Sequence, residues 1–113
     1  MKSSRVTTGL EIANCKIVRH VGIVRGIVVR SRSVVGNFIA GLQTILGGNI
    51  TVYTNLCERT RLEAYKRMCD LAEKNGANAI ISIRYDTTEI MRGVSEVLCY
   101  GTAVIVEEEG VEP

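Results

Sequence analysis

RLEAYKRMCDLAEKNGANAIISIRYDTTEIMRGVSEVLCYGTAVIV, residues 61–106, decides the fold. A charged, amphipathic helix runs through its first part and stops at Asn75-Gly76, where Gly76 supplies the left-handed position just beyond a helix end. The strand that follows, 78–88, alternates Ala79, Ile81, Ile83 and Tyr85 with Ile80, Ser82, Arg84 and Asp86. After a turn at Arg92-Gly93 comes a strand over 95–107. Its VLCYGTAVIV is apolar on both faces, which predicts a central place in the sheet.

Working upstream, the helix is read from an N-cap at Thr54, with Cys57, Ala64, Met68, Leu71 and Ala72 on its apolar side. Glu63 with Arg67, and Asp70 with Lys74, are opposite charges four apart and stabilise by about 0.3 kcal/mol each. Lys16 to Arg30 reads as a strand rich in Val and Ile on both faces. Gly22 and Gly26 share one face and predict a bend or the close approach of another backbone. Between the two elements, Ser33 caps a short helix whose stripe is Val34, Val35, Phe38, Ile39, Leu42, Ile45 and Leu46, ended by Gly47-Gly48. Residues 5–8 are a short strand or a tail docked elsewhere.

The order strand, helix, helix, strand, strand predicts an α+β fold of two layers, β-α-β-β, with an extra short helix before the main one. A helical crossover returns the second strand parallel to the first, and the last strand fills the gap antiparallel to both. The sheet order is then 1-3-2, with helices on one face. The other face is still apolar and needs a cover, and a second subunit is the simplest one.

A chain of 113 residues with 46% apolar content is expected to form one domain, 1–113, with a core over about 6–107 and the ends outside it. One Phe, four Tyr and no Trp leave few stacking faces for single-stranded nucleic acid, which is not an expected partner. The net charge of +2 is unevenly placed. Residues 1–50 carry seven basic groups against Glu11 alone, whereas residues 51–113 carry seven basic and eleven acidic groups. Because the basic residues sit among strand-like Val and Ile, this asymmetry suits a positive half of one subunit facing the negative half of its neighbour. No secretory signal pattern or membrane-spanning apolar run is read, so the expected location is the cytoplasm.

The residues Arg61, Ala64, Met68, Ala72, Gly76-Ala77-Asn78-Ala79 and Gly101-Thr102-Ala103 form a pattern. Thr7-Thr8, Val21-Gly22-Ile23-Val24, Gly26, Gly47-Gly48 and Tyr53 extend it. The chain thereby resembles the YbjQ-like family, small prokaryotic proteins described as "putative heavy-metal-binding", over about Val6 to Val106. That resemblance implies a dodecin-subunit-like fold and a cyclic homo-oligomer, a pentamer, and very little about function. The chain departs from the family at Gly36-Asn37, Gly41-Leu42-Gln43 and Asn49, where family members often carry charged residues.

Metal binding is the chemistry the resemblance suggests. Cys57 and Cys69 lie on one helix, ~18 Å apart along the axis and about 120° apart around it, and cannot chelate one ion. Cys15 and Cys99 fall on strands expected to be neighbours and are the candidate ligands for a soft divalent metal, shared between strands or across subunits. Lone thiols in a reducing compartment are otherwise small buried hydrophobes. His20, at the opposite parity from Cys15, is a core or interface residue, and Arg25 and Arg30 are candidate ligand or interface groups. No catalytic residue is assigned, because no base with its orienting partner and no phosphate loop is legible. The sequence reading is therefore a non-catalytic homo-oligomer that binds a metal or small ligand at subunit junctions. The alternative is an enzyme whose site forms only between subunits.

Overall fold

The computed structural model describes residues 1–31, 36 and 50–110. Along the chain come a 3-10 turn at Ser3–Arg5, strand β1 (Cys15–Ser31), helix α1 (Ile50–Lys74), and strands β2 (Ala79–Met91) and β3 (Val94–Glu108). The three strands make one sheet in the order β1-β3-β2, with β3 antiparallel to both neighbours. This two-layer α+β arrangement is the expected one. Apart from Gly36, the short helix read over 33–46 lies outside the described residues.

Helix α1 ends as its sequence dictates. Gly76 has φ 87°, Ala77 N donates to Ala72 O at 3.0 Å and Gly76 N donates to Glu73 O at 3.0 Å. These two bonds cap the last turn in the manner that a left-handed glycine permits. The start differs from expectation: α1 is already helical at Ile50, so Thr54 lies a turn inside it and is not the N-cap. Thr51, Thr54 and Asn55 all carry capping chemistry, and sequence alone does not choose among them.

The helix lies over β1 and β3, and a glycine lets it do so. A β-carbon on Gly26 would collide with the Ala64 carbonyl and stand 2.6 Å from Met68 N. Around that contact Val24, Val28, Ala64, Met68, Ala72, Ile80, Cys99 and Ala103 form the main core. Cys57, read as part of the apolar side, is instead exposed.

A second, smaller core occupies the other face at one end, where Ile12 packs with Ala79, Ile81, Val104 and Val106. The N-terminal segment reaches it by running along the edge of β2. Thr7 N donates to Ile80 O at 3.0 Å and Ser82 N donates to Gly9 O at 2.8 Å. Asn78 locks the start of β2 to β3: its Nδ2 donates to Val106 O at 2.9 Å, and its Oδ1 accepts from Val106 N at 2.8 Å. Glu107 and Glu108 are strand residues opposite Lys16 and Cys15, and Glu108 Oε1 pairs with Arg5 Nη2 at 3.0 Å.

Candidate functional site

Tyr65, Met68 and Cys69 are three and four apart on α1, so they share one helix face. Beneath them β3 presents Cys99, which lies opposite Gly26 on β1 and Tyr85 on β2. With no side chain on Gly26, α1 comes close enough for Cys99 Sγ to donate to Met68 Sδ at 3.6 Å. Burial pushes the Cys69 and Cys99 thiols up. Burial, then the neighbouring thiols, raises the Tyr65 phenol to about 12. Tyr85 is likewise raised to about 12, by burial first and then by Cys99. The thiolate is the nucleophile and the metal ligand. A site that keeps its thiols protonated is therefore a packed sulfur cluster and is poorly suited to either role.

Sequence reasoning treated Cys69 as a buried thiol but missed that it shares this cluster with Cys99. The signal was available in the spacing of Tyr65, Met68 and Cys69. Their partners on β2 and β3 needed the strand register, which two irregularities shift between Ile81 and Arg84 and between Glu89 and Met91.

The register also separates Cys15 from Cys99. Cys15 pairs with Glu108 at one end of the β1–β3 ladder, whereas Cys99 pairs with Gly26 in its interior, so the two lie far apart. Expecting the two thiols to approach each other within one subunit was wrong, because adjacent antiparallel strands join residues by register and not by strand membership. Cys15 is half-buried and opens on a 460 Å³ cleft with Asn14, Glu108, Glu109 and Arg5. His20 is exposed and opposite Val104, away from both thiols. Among the described residues no three of His, Cys, Asp and Glu gather as a metal set. The described residues of one subunit therefore do not by themselves assemble three such donors around one point.

Arg25 is exposed on the sheet face away from α1. Arg30 is placed differently, pairing with Glu63, whose other oxygen accepts from Arg67 Nη2 at 2.9 Å. Arg30 and Glu63 line a 370 Å³ cleft with Leu56, Arg59, Thr60, Leu62 and Lys66, in which three basic groups stand with one acid. On the opposite flank of α1, the Arg61 guanidinium sits 5.7 Å from the Tyr85 ring centre beside Glu58.

The YbjQ family model, described as "Putative heavy-metal-binding", matches residues 5–107. The chain belongs to the YbjQ family. It is 54% identical over 114 residues to a UPF0145 protein of Chromobacterium violaceum, covering 100% of this chain and 97% of that one. A UPF0145 protein of Burkholderia lata is 57% identical over 107 residues, covering 95% and 90% respectively. One from Burkholderia mallei is 60% identical over 99 residues, covering 88% and 89%. Among solved structures, a Pediococcus pentosaceus protein of unknown function from the DUF74 family superposes with a TM-score of 0.60 at 16% identity. The match covers 94% of this chain and 100% of that one and speaks for the YbjQ fold alone. No helix among the described residues is long and apolar enough to cross a membrane.

Proposed function

We propose that this YbjQ-family chain is the non-catalytic subunit of a cyclic homo-oligomer that holds a small ligand or soft divalent metal at its subunit junctions. The carrying observation is an uncovered apolar strip. On β1, Val24 and Val28 are 1% exposed beneath α1, whereas Ile23, Ile27 and Val29 on the opposite face are 78%, 38% and 49% exposed. Opposite Ile23 and Ile27 stand Thr102 and Leu98, which continue the strip across β3. A sheet that leaves such a strip open has one apolar face to bury against another surface. The elongated outline supports the same reading. The radius of gyration is 17.6 Å, against about 13 Å for a self-contained domain of this length.

A pentamer is the ring size the family resemblance implies. In such a ring the donors at a junction come from two subunits, and Cys15 with Glu108 and Glu109 is the accessible set a neighbour could complete. The buried Cys99 contributes no metal ligand in this reading. Native mass spectrometry of the untreated protein tests both halves, since it reports subunit number and retained metal together. A pentamer is the expected result, and a folded monomer at micromolar concentration overturns the proposal. Cadmium titration should load the oligomer, and Cys15→Ser should abolish the binding.

The basic cleft of Arg30, Arg59 and Lys66 favours a second reading, a site for an anionic substrate completed by a neighbouring subunit. Isothermal titration with inorganic phosphate and small carboxylates separates the two, because this reading requires a saturable anion site that Lys66→Ala weakens.

A further inference from the structure

We infer that Asn75, at the junction of α1 and β2, is a site of spontaneous modification. Its side-chain amide is attacked by the backbone nitrogen of Gly76 and becomes a carboxylate, at a rate set by the last turn of α1.

The reaction needs nothing but water. A bond forms between Gly76 N and Asn75 Cγ, and the bond from Cγ to Nδ2 breaks. The Gly76 nitrogen gives up its proton, and the amide leaves as ammonia. Water then opens the cyclic imide at either carbonyl, which yields aspartate or its isomer with the chain running through the side-chain carbon.

Such an attack needs an uncrowded nitrogen after the asparagine. Of the asparagines in the sequence only Asn75 precedes a glycine. Asn14, Asn55 and Asn78 precede Cys15, Leu56 and Ala79, whose β-carbons crowd that nitrogen. The structure separates them further. Asn55 lies inside α1, where the backbone is held helical. The Asn78 side chain is fixed on both sides by Val106. Asn75 is exposed, and no atom comes within 4 Å of the place where a β-carbon on Gly76 would stand, so the imide ring has room.

The fold nevertheless withholds the nucleophile. Gly76 N donates to Glu73 O at 3.0 Å, and Asn75 N donates to Leu71 O and Ala72 O at 3.1 and 3.2 Å. Attack on Cγ requires Gly76 N to leave Glu73 O, so the last turn of α1 opens first. Helix ends are where such opening is easiest. It stops there, because Ala77 is buried with its N–H on Ala72 O and Asn78 is clamped to β3. The modification carries a structural penalty. A new carboxylate stands beside Glu73 at the negative end of the helix dipole. In the isomerised product an extra backbone carbon also prevents Gly76 N and Ala77 N from keeping both of their partners.

The test is ageing of the folded full chain in mildly alkaline buffer, followed by peptide mapping with mass spectrometry. The peptide holding Asn75 should convert from amide to acid ahead of those holding Asn14, Asn55 or Asn78. In guanidinium chloride at the same pH and temperature the conversion should be on the order of tenfold faster or more, since no turn has to open. Asn75→Gln sets the amide one carbon further from Gly76 N and should leave this peptide unconverted while the chain stays folded. An Asn75 that remains intact after another asparagine has converted overturns the site. Equal rates in the folded and unfolded chain overturn its control by the turn.

Discussion

The carbonyl of Ala64 on α1 occupies the space that a β-carbon on Gly26 of β1 would take. This one approach sets the height of the helix over the sheet, and with it the meeting of Met68 and Cys99. Gly26→Ala should therefore destabilise by about 3 kcal/mol, since the obstacle is backbone and cannot rotate away. Gly110→Ala, with nothing near its added carbon, should change stability by less than about 0.5 kcal/mol. Urea unfolding of both variants checks the difference. An unaltered midpoint for Gly26→Ala would place the helix elsewhere.

Met68 is fully buried at the centre of the main core and accepts from the Cys99 thiol. Met68→Ala should cost about 2–5 kcal/mol through lost burial and the cavity left behind. Met68→Leu, of similar volume, should cost less than about 1.5 kcal/mol. Thermal melts of the pair test whether packing, rather than the sulfur contact, carries the stability.

Asn78 bonds both the N–H and the carbonyl of Val106, acting as one extra rung of the β2–β3 ladder. Asn78→Ala strands both groups and should cost about 1–3 kcal/mol. Asn78→Asp keeps the acceptor for Val106 N and loses the donor for Val106 O, so an intermediate loss is expected. Equal effects of the two substitutions in chemical denaturation would mean that the Val106 N–H bond, which Asp alone retains, contributes nothing.

The raised thiols and phenols predict alkaline sensitivity. Cys69, Cys99, Tyr65 and Tyr85 are harder to ionise in the folded chain than in the unfolded one, because burial disfavours the charged form. Their contribution is complete below the ordinary thiol and phenol range. It is lost as pH rises through that range toward the folded tyrosine values of about 12. Unfolding midpoints should fall over this window, and less steeply for a Tyr65→Phe/Tyr85→Phe chain. In native buffer Cys57 should react promptly with a thiol reagent, while Cys99 should react only as fast as the protein opens.

The helix stop at Gly76, the alternation of β2, the two-faced β3 and the order β1-β3-β2 were all readable along the chain. Each follows from local periodicity, turn chemistry or the rules of strand connection. The glycines of β1 were legible as a bend or a close approach; Gly26 is the close approach, to Ala64, and Gly22 adjoins an irregularity of the ladder. What the sequence withheld is what depends on register. It could place Cys15 and Cys99 on neighbouring strands but not far apart along the ladder, and it could not bring Tyr65, Met68 and Cys69 over Cys99 and Tyr85. Periodicity fixes which side of an element a residue faces. Its partner across a ladder is set by bulges and by where the N-terminal segment and α1 come to rest, and tertiary packing alone decides those.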